Sequence, residues 1–288
     1  MKILGTGLNG LVGSRIIELL SSQYEFESIS RSNGVDITQK DSVFAALKDS
    51  PATIVLHMAA KTQVDGCEED KPQGVEGEAW KINVGGTQSV VDACQELNKK
   101  LIYVSTDFVF DGEKEGSYVE SDAPHPINWY GQTKYEGEKI VSTLENSVIV
   151  RVAYPYRANF EKKDFVRAII ARLSDNQETK VVEDHIFCPT FIDDIAHALD
   201  FLIKQNVGGI YHVVGSQSLS PYDAAVLIAD VFGFNKSLLT KTTRAEYFKN
   251  GASRPFNLSL KNDKMNGLGI QMKSLEAGLE MVKNHFRG

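Results

Sequence analysis

Cysteine is scarce, with Cys67, Cys94 and Cys188 the only three in 288 residues. An odd and scattered number supports neither a disulfide framework nor a zinc site, and reads as packing thiols in a reducing compartment. Basic runs are missing as well. Lys and Arg number 31 against 38 Asp and Glu, a net charge of −7 with a pI near 5.5. A nucleic-acid partner is therefore not expected. No apolar run approaches the length of a membrane span, and strand-like sequence begins at residue 2, leaving no room for a signal peptide. No membrane partner and a cytoplasmic location are the expectations. Repeats, low-complexity tracts and long linkers are absent too. Asp193-Asp194 could suggest a metal, yet adjacent carboxylates opening a helix are more simply caps and dipole partners, so no metal is expected.

What is present is an alternation. Near-continuous apolar runs at 2–4, 26–30, 53–58, 101–105, 147–152 and 210–214 read as strands covered on both faces. Amphipathic stretches at 12–21, 41–48, 77–98, 130–144 and 193–205 read as the helices between them. This pattern predicts an α/β fold, a doubly wound parallel sheet of Rossmann type with a smaller C-terminal substrate lobe. The dinucleotide-binding part is expected over 1–153 plus about 189–215, and the lobe over about 154–188 plus 216–288. Within the lobe, 164–173 reads as a helix, and Ser220-Pro221 as a cap followed by proline at the first helical position.

The first strand feeds Gly5-Thr6-Gly7-Leu8-Asn9-Gly10-Leu11-Val12-Gly13, whose glycines satisfy the dinucleotide fingerprint in two overlapping registers. A strand, a glycine turn and a helix N-terminus together make a pyrophosphate site: bare backbone approaches closely, and free N–H groups and the helix dipole favour negative charge. Gly7, Leu8, Asn9, Gly10, Leu11 and Val12 are accordingly expected to hold a dinucleotide. After the second strand stands Ser30-Arg31-Ser32, where an NAD enzyme commonly carries an acidic residue for the ribose 2′-hydroxyl. An arginine there suits a 2′-phosphate, so NADPH is expected over NADH. Asp36 lies too far along to replace that carboxylate.

Tyr130 and Lys134 are one helical turn apart and share a face. A free tyrosine has a pKa of roughly 10, and a nearby ammonium lowers it into the range of an acid/base catalyst. Tyr135 and Lys139 repeat the spacing. Five residues on, however, that pair is rotated by about 140° and should face elsewhere. Ser105-Thr106-Asp107 closes a strand at its carboxyl end, where ligands of such sheets sit.

With these motifs the chain resembles the extended short-chain dehydrogenase/reductases, and among them the dTDP-4-dehydrorhamnose reductase branch. The resemblance rests on the glycine turn, Ala59-Ala60-Lys61-Thr62, Asn83-Val84-Gly85-Gly86-Thr87 and the block Ser105-Thr106-Asp107-Phe108-Val109-Phe110-Asp111-Gly112. It continues through Tyr130-Gly131-Gln132-Thr133-Lys134, Pro189-Thr190 and Arg254-Pro255-Phe256-Asn257. It implies reduction of the 4-keto group of a nucleotide-linked 6-deoxyhexose, dTDP-4-dehydro-L-rhamnose giving dTDP-L-rhamnose. Tyr130 would protonate the carbonyl oxygen, Lys134 would lower its pKa and hold the nicotinamide ribose, and Thr106 would orient the carbonyl. Ser30, Arg31, Asp36, Ile37, Ala59, Ala60, Lys61, Asn83, Tyr130 and Lys134 would contact the cofactor. Tyr154, Asn159 and Arg254 would contact the nucleotide sugar, with Arg254 on its diphosphate. A homodimer is the expected assembly.

The chain departs from that pattern in places. The acidic, glycine-containing segment 65–80 is long, Tyr154 replaces a tryptophan and is followed by Pro155, and Phe187 replaces a glycine and is expected to fill part of the pocket. His185, in a loop among apolar residues, reads as a structural or substrate-edge contact. These departures leave two other readings: a reductase or epimerase of another nucleotide sugar, and a non-catalytic NADP-binding regulatory subunit like that of methionine adenosyltransferase.

Overall fold

The computed structural model describes residues 1–205 and 207–285. Position 206 and positions 286–288, which the expected boundaries take in, lie outside them. Six parallel strands form the central sheet: β1 (Lys2–Thr6), β2 (Glu25–Ile29), β3 (Ile54–His57), β4 (Lys100–Thr106), β5 (Ser147–Val152) and a last strand, Gly209–His212. Their order is β2-β1-β3-β4-β5 followed by Gly209–His212. The chain leaves β1 toward one edge and resumes at β3 on the other side, so the crevice at the carboxyl end of β1 is the topological switch point.

The strands form where the apolar runs were read, because both faces are covered. β3 and β5 are buried at every position. On one face pack the helices Leu11–Leu20 and Ile192–Lys204, with Ile16, Leu20, Ile195, Leu199 and Leu202 in a single cluster with Ile3, Leu56 and Val150. On the other, Val43, Leu47, Val90 and Cys94 close over Leu4, Val55, Leu101 and Ile149. The expected single helix over 77–98 is instead three segments. An α-helical turn at Glu78–Trp80 runs into a π-helical stretch, Lys81–Gly86, before α-helix resumes at Thr87–Glu96. The wide turn carries Asn83, buried against the Lys61 backbone, and such insertions gather at functional sites.

A further apolar cluster joins Tyr156, Ile169, Ile170, Phe187, Ile228, Leu275 and Leu279. It is built from the helices Phe165–Ser174 and Pro221–Phe232, the final helix Leu275–His285 and two short parallel pairs of strands, Thr179–Val182 with Leu239–Thr242 and Pro155–Tyr156 with Thr190–Phe191. Ser220 caps its helix by accepting from the Asp223 N–H, with Pro221 at the first helical position as the sequence indicates. Among the described residues, no helix is long and apolar enough to cross a membrane.

Candidate functional site

One cleft of about 900 Å³ runs along the carboxyl ends of the strands. Gly7, Gly10, Leu11 and Val12 line one stretch of it with Ser30, Arg31, Asp36 and Ile37, then Ala59 and Ala60, and finally Thr106, Tyr130, Lys134, Tyr154 and Arg254. The glycine turn is shaped for close approach. Gly7 has φ +69°, and a Cβ there would fall 2.6 Å from the Ala59 nitrogen. Gly13 packs as tightly, since its Cβ would meet the Leu8 Cα at 2.6 Å. The turn therefore stays bare, with the N-terminus of Leu11–Leu20 behind it.

Further along, Arg31 reaches back to Asp36, its Nε donating to a carboxylate oxygen at 2.9 Å. The Thr38 backbone N–H and hydroxyl also donate to Asp36, and together with Arg31 they hold its carboxyl below the usual range. The Arg31 side chain is 63% exposed and lines the cleft.

The helix Trp129–Val141 carries Tyr130 and Lys134. Asn128 caps it, accepting from the Gly131 N–H, and Gly131 lets its first turn sit against Phe108, whose carbonyl oxygen lies only 2.1 Å from where a Cβ would be. Tyr130 faces the cleft beside Thr106. Tyr135 does not line it; Lys139 lies over its ring at 5.1 Å, a separate pair on the helix.

The electrostatics differ from the expectation that Lys134 would lower the Tyr130 pKa. Burial dominates and pushes the Tyr130 phenol well up, against a smaller opposing contribution from the Thr106 hydroxyl. Lys134 itself is desolvated, which brings its pKa down to about 7 despite the Glu138 carboxylate. Its ammonium donates to the Val104 carbonyl at 2.8 Å and lies 4.1 Å from the centre of the Tyr103 ring. The phenol thus stands protonated, which is the form a proton donor needs.

Thr106 donates to one oxygen of Asp107 at 2.9 Å, while the other oxygen, Oδ2, has no partner among the described residues. Asp107 is 2% exposed and lines the cleft, and desolvation raises its pKa to about 7. Reading by motif gave this carboxyl no role. Its position directly after Thr106 at the end of a strand was the available signal.

Five residues expected as contacts do not line the cleft. The Leu8 side chain is buried in the core beneath the turn, and Asn9 sits exposed at its apex. Lys61 turns to Asp70 and Glu78, at 2.7 and 2.9 Å. Asn83 is buried and holds the backbone: its Oδ1 accepts from the Lys61 N–H, and its amide donates to the Lys61 carbonyl and to Thr133. It shapes the loop that lines the cleft without lining it. Asn159 donates to the His285 carbonyl at 2.8 Å on another part of the surface. Phe187 is corrected too: fully buried, it packs edge-on behind Tyr154 at 4.5 Å between ring centres and fills core, not cleft.

At the substrate end, Tyr154 has φ +38°, rare for a side chain this bulky and costing on the order of 1–3 kcal/mol. Pro155 pairs with Thr190 directly behind it, and the Thr190 N–H donates to the Tyr154 carbonyl. Arg254 lines the cleft above the ring of Phe248. Its guanidinium forms a fork on Asp65, both contacts 3.0 Å, and that pairing holds the Asp65 carboxyl below its ordinary range. The long segment beginning at residue 65 therefore borders the cleft through the helix Val64–Asp70.

A family model described as the RmlD substrate binding domain matches residues 1–287. The chain belongs to this family. It is 33% identical, over 98% of both chains, to a dTDP-4-dehydrorhamnose reductase of Aggregatibacter actinomycetemcomitans. A solved structure of dTDP-4-dehydrorhamnose reductase from Bacillus anthracis in complex with NADP superposes with a TM-score of 0.90 at 30% identity, covering 99% of each chain. Similarity extends to methionine adenosyltransferase 2 subunit beta of Rattus norvegicus, 28% identical over 95% of this chain and 84% of that one.

Proposed function

We propose that this RmlD-family protein is an NADPH-dependent reductase of a nucleotide-linked 4-keto-6-deoxyhexose, with dTDP-4-dehydro-L-rhamnose as substrate and dTDP-L-rhamnose as product. The observation that carries the reading is the single cleft that joins the glycine turn and Arg31 at one end to Thr106, Tyr130, Lys134 and Arg254 at the other. Named relatives with the same activity along the whole chain support it.

The residues suit the cofactor. The bare turn at Gly7 and Gly10 accommodates a pyrophosphate, Arg31 a ribose 2′-phosphate, Asp36 and Ile37 the adenosine end, and Lys134 the nicotinamide ribose. Bound there, reduced nicotinamide supplies a hydride. Thr106 orients the keto oxygen. Tyr130 gives that oxygen its proton as negative charge develops, so the phenol is left as phenolate. Arg254 releases Asp65 to take the diphosphate in a two-pronged grip. In this reading 1–153 with about 189–215 holds the dinucleotide, and the remainder holds the sugar nucleotide. The setting is the cytoplasm and the assembly a homodimer.

Purified protein supplied with NADPH and a panel of 4-keto sugar nucleotides tests this through loss of nicotinamide absorbance. Turnover of the dTDP-4-dehydrorhamnose substrate is expected, with Tyr130→Phe abolishing it and leaving NADPH affinity intact. Persisting turnover in that variant would refute the assigned proton donor. Tight NADPH binding with no turnover of any sugar would favour a non-catalytic NADP-binding subunit, the reading to which the rat relative lends weight.

A further inference from the structure

His185 lies outside the cleft, 3% exposed, beneath Tyr154. Its Nδ1 is 2.8 Å from the Pro255 carbonyl oxygen. A carbonyl only accepts, so the ring proton sits on Nδ1 and Nε2 carries a lone pair. Burial, with the Arg244 and Arg254 charges adding to it, keeps the ring neutral, its pKa down to about 4. The Tyr154 hydroxyl is 3.1 Å from Nε2 and must be the donor in that contact. The phenol proton is thereby committed inward, so toward a ligand in the cleft that Tyr154 lines, its oxygen can only accept.

The surroundings fix this arrangement. The Phe187 ring stacks on His185 at 6.0 Å and meets Tyr154 edge-on at 4.5 Å, and Tyr154 keeps its positive φ between Ala153 and Pro155. Across the same cleft, Tyr130 supplies the opposite polarity, a proton for an oxygen.

We infer that His185 is a positioning residue that makes Tyr154 an acceptor-only contact for a hydroxyl group of the bound sugar. The inference rests on the proposed reductase reading and adds how the sugar is recognised. Thr106 and Tyr130 address the keto oxygen, and Tyr154 addresses a neighbouring hydroxyl. A sugar with no hydroxyl at that point loses its partner and leaves the Tyr154 oxygen facing apolar substrate surface.

Two measurements on the full chain test it. Long-range nitrogen–proton correlation spectra of the histidine rings, with the His185 signal identified by its loss in His185→Gln, should show hydrogen on Nδ1 and a bare Nε2. A proton on Nε2 overturns the inference whatever the activity. Steady-state kinetics with NADPH and the 4-keto sugar nucleotide form the second test. Tyr154→Phe and His185→Leu should each raise KM about tenfold, the size of one lost hydrogen bond, with kcat changed by less than about twofold. The double variant should be no worse than either single one, because both remove the same contact. His185→Gln should restore KM, since its amide can donate to Pro255 and accept from Tyr154. Unchanged KM in His185→Leu, or additive losses in the double variant, overturns the inference while wild-type turnover keeps the reductase reading. Failure of the wild type on every 4-keto sugar sinks the reductase reading, and the sugar contact with it.

Discussion

Burial brings the Asp107 carboxyl to a pKa of about 7, against 3.8 in water, and one of its oxygens has no partner among the described residues. A carboxyl with a raised folded-state pKa contributes stability below its unfolded value and loses it as pH climbs through the folded one. Asp107→Asn removes the titration. The variant should therefore gain on the wild type between pH 4 and 7, by at most about 4 kcal/mol, in denaturant unfolding of the unliganded protein. A gap independent of pH would show that this carboxyl is not desolvated. Arg31→Ala should weaken NADPH binding by roughly tenfold and leave NADH unaffected, as read by fluorescence titration, because only one of the two carries the 2′-phosphate. At this scale the sequence showed Thr106, Tyr130, Lys134 and Arg254, each sitting in a recognisable local block. It could not show that His185 supports Tyr154 from 31 residues away, or that Asp65 holds Arg254 across 189. Those pairings exist only once the chain is folded.

Among the elements, the strands were the most legible, since two covered faces demand unbroken apolar runs and β5 appears with the bounds read from sequence. The helix over 77–98 was less so. A π-helical insertion adds one residue to a turn, and at Val84-Gly85-Gly86 the glycines carry no apolar pattern that would register the slip. Glycine matters more openly in the helix Trp129–Val141, where Gly131 touches the Phe108 carbonyl. Gly131→Ala has no flexible neighbour to displace, only the Phe108 backbone and the Pro126 ring. It should cost about 2 kcal/mol or more in thermal unfolding. It should also lower kcat more than it weakens NADPH binding, because the displaced first turn carries Tyr130. Wild-type stability in that variant would show that the two segments can separate freely.

Over the whole molecule, three histidines are buried and neutral. His57, His185 and His212 have pKa values brought down by desolvation to about 3, about 4 and about 3. In the unfolded chain they titrate near 6.5, so their contribution is complete above that pH and is lost as acid approaches the folded values. Each can remove up to roughly 3 kcal/mol between pH 6.5 and 4, and the three together outweigh the opposite trend of the buried carboxyls Asp107 and Asp164, both of which desolvation pushes up. Unfolding midpoints measured down that range should fall steeply, and a flat profile would show that these rings are accessible when folded. The alternation of strands and helices conveyed the sheet and its crevice at this scale. It did not convey how Thr179–Val182 meets Leu239–Thr242, two short strands some sixty residues apart with no connecting signature.

The fork between Arg254 and Asp65 has a consequence for turnover. With Arg254 assigned to the diphosphate as proposed, an entering diphosphate would not meet an idle guanidinium; it would exchange with a resident carboxylate, the arginine trading one anion for another. Net affinity is then the difference between two similar attractions, and Asp65 stands ready to reclaim its place once the hydroxyl product has formed. The protein carries its own competitor for its ligand, tethered beside the doorway, and that favours letting the product go.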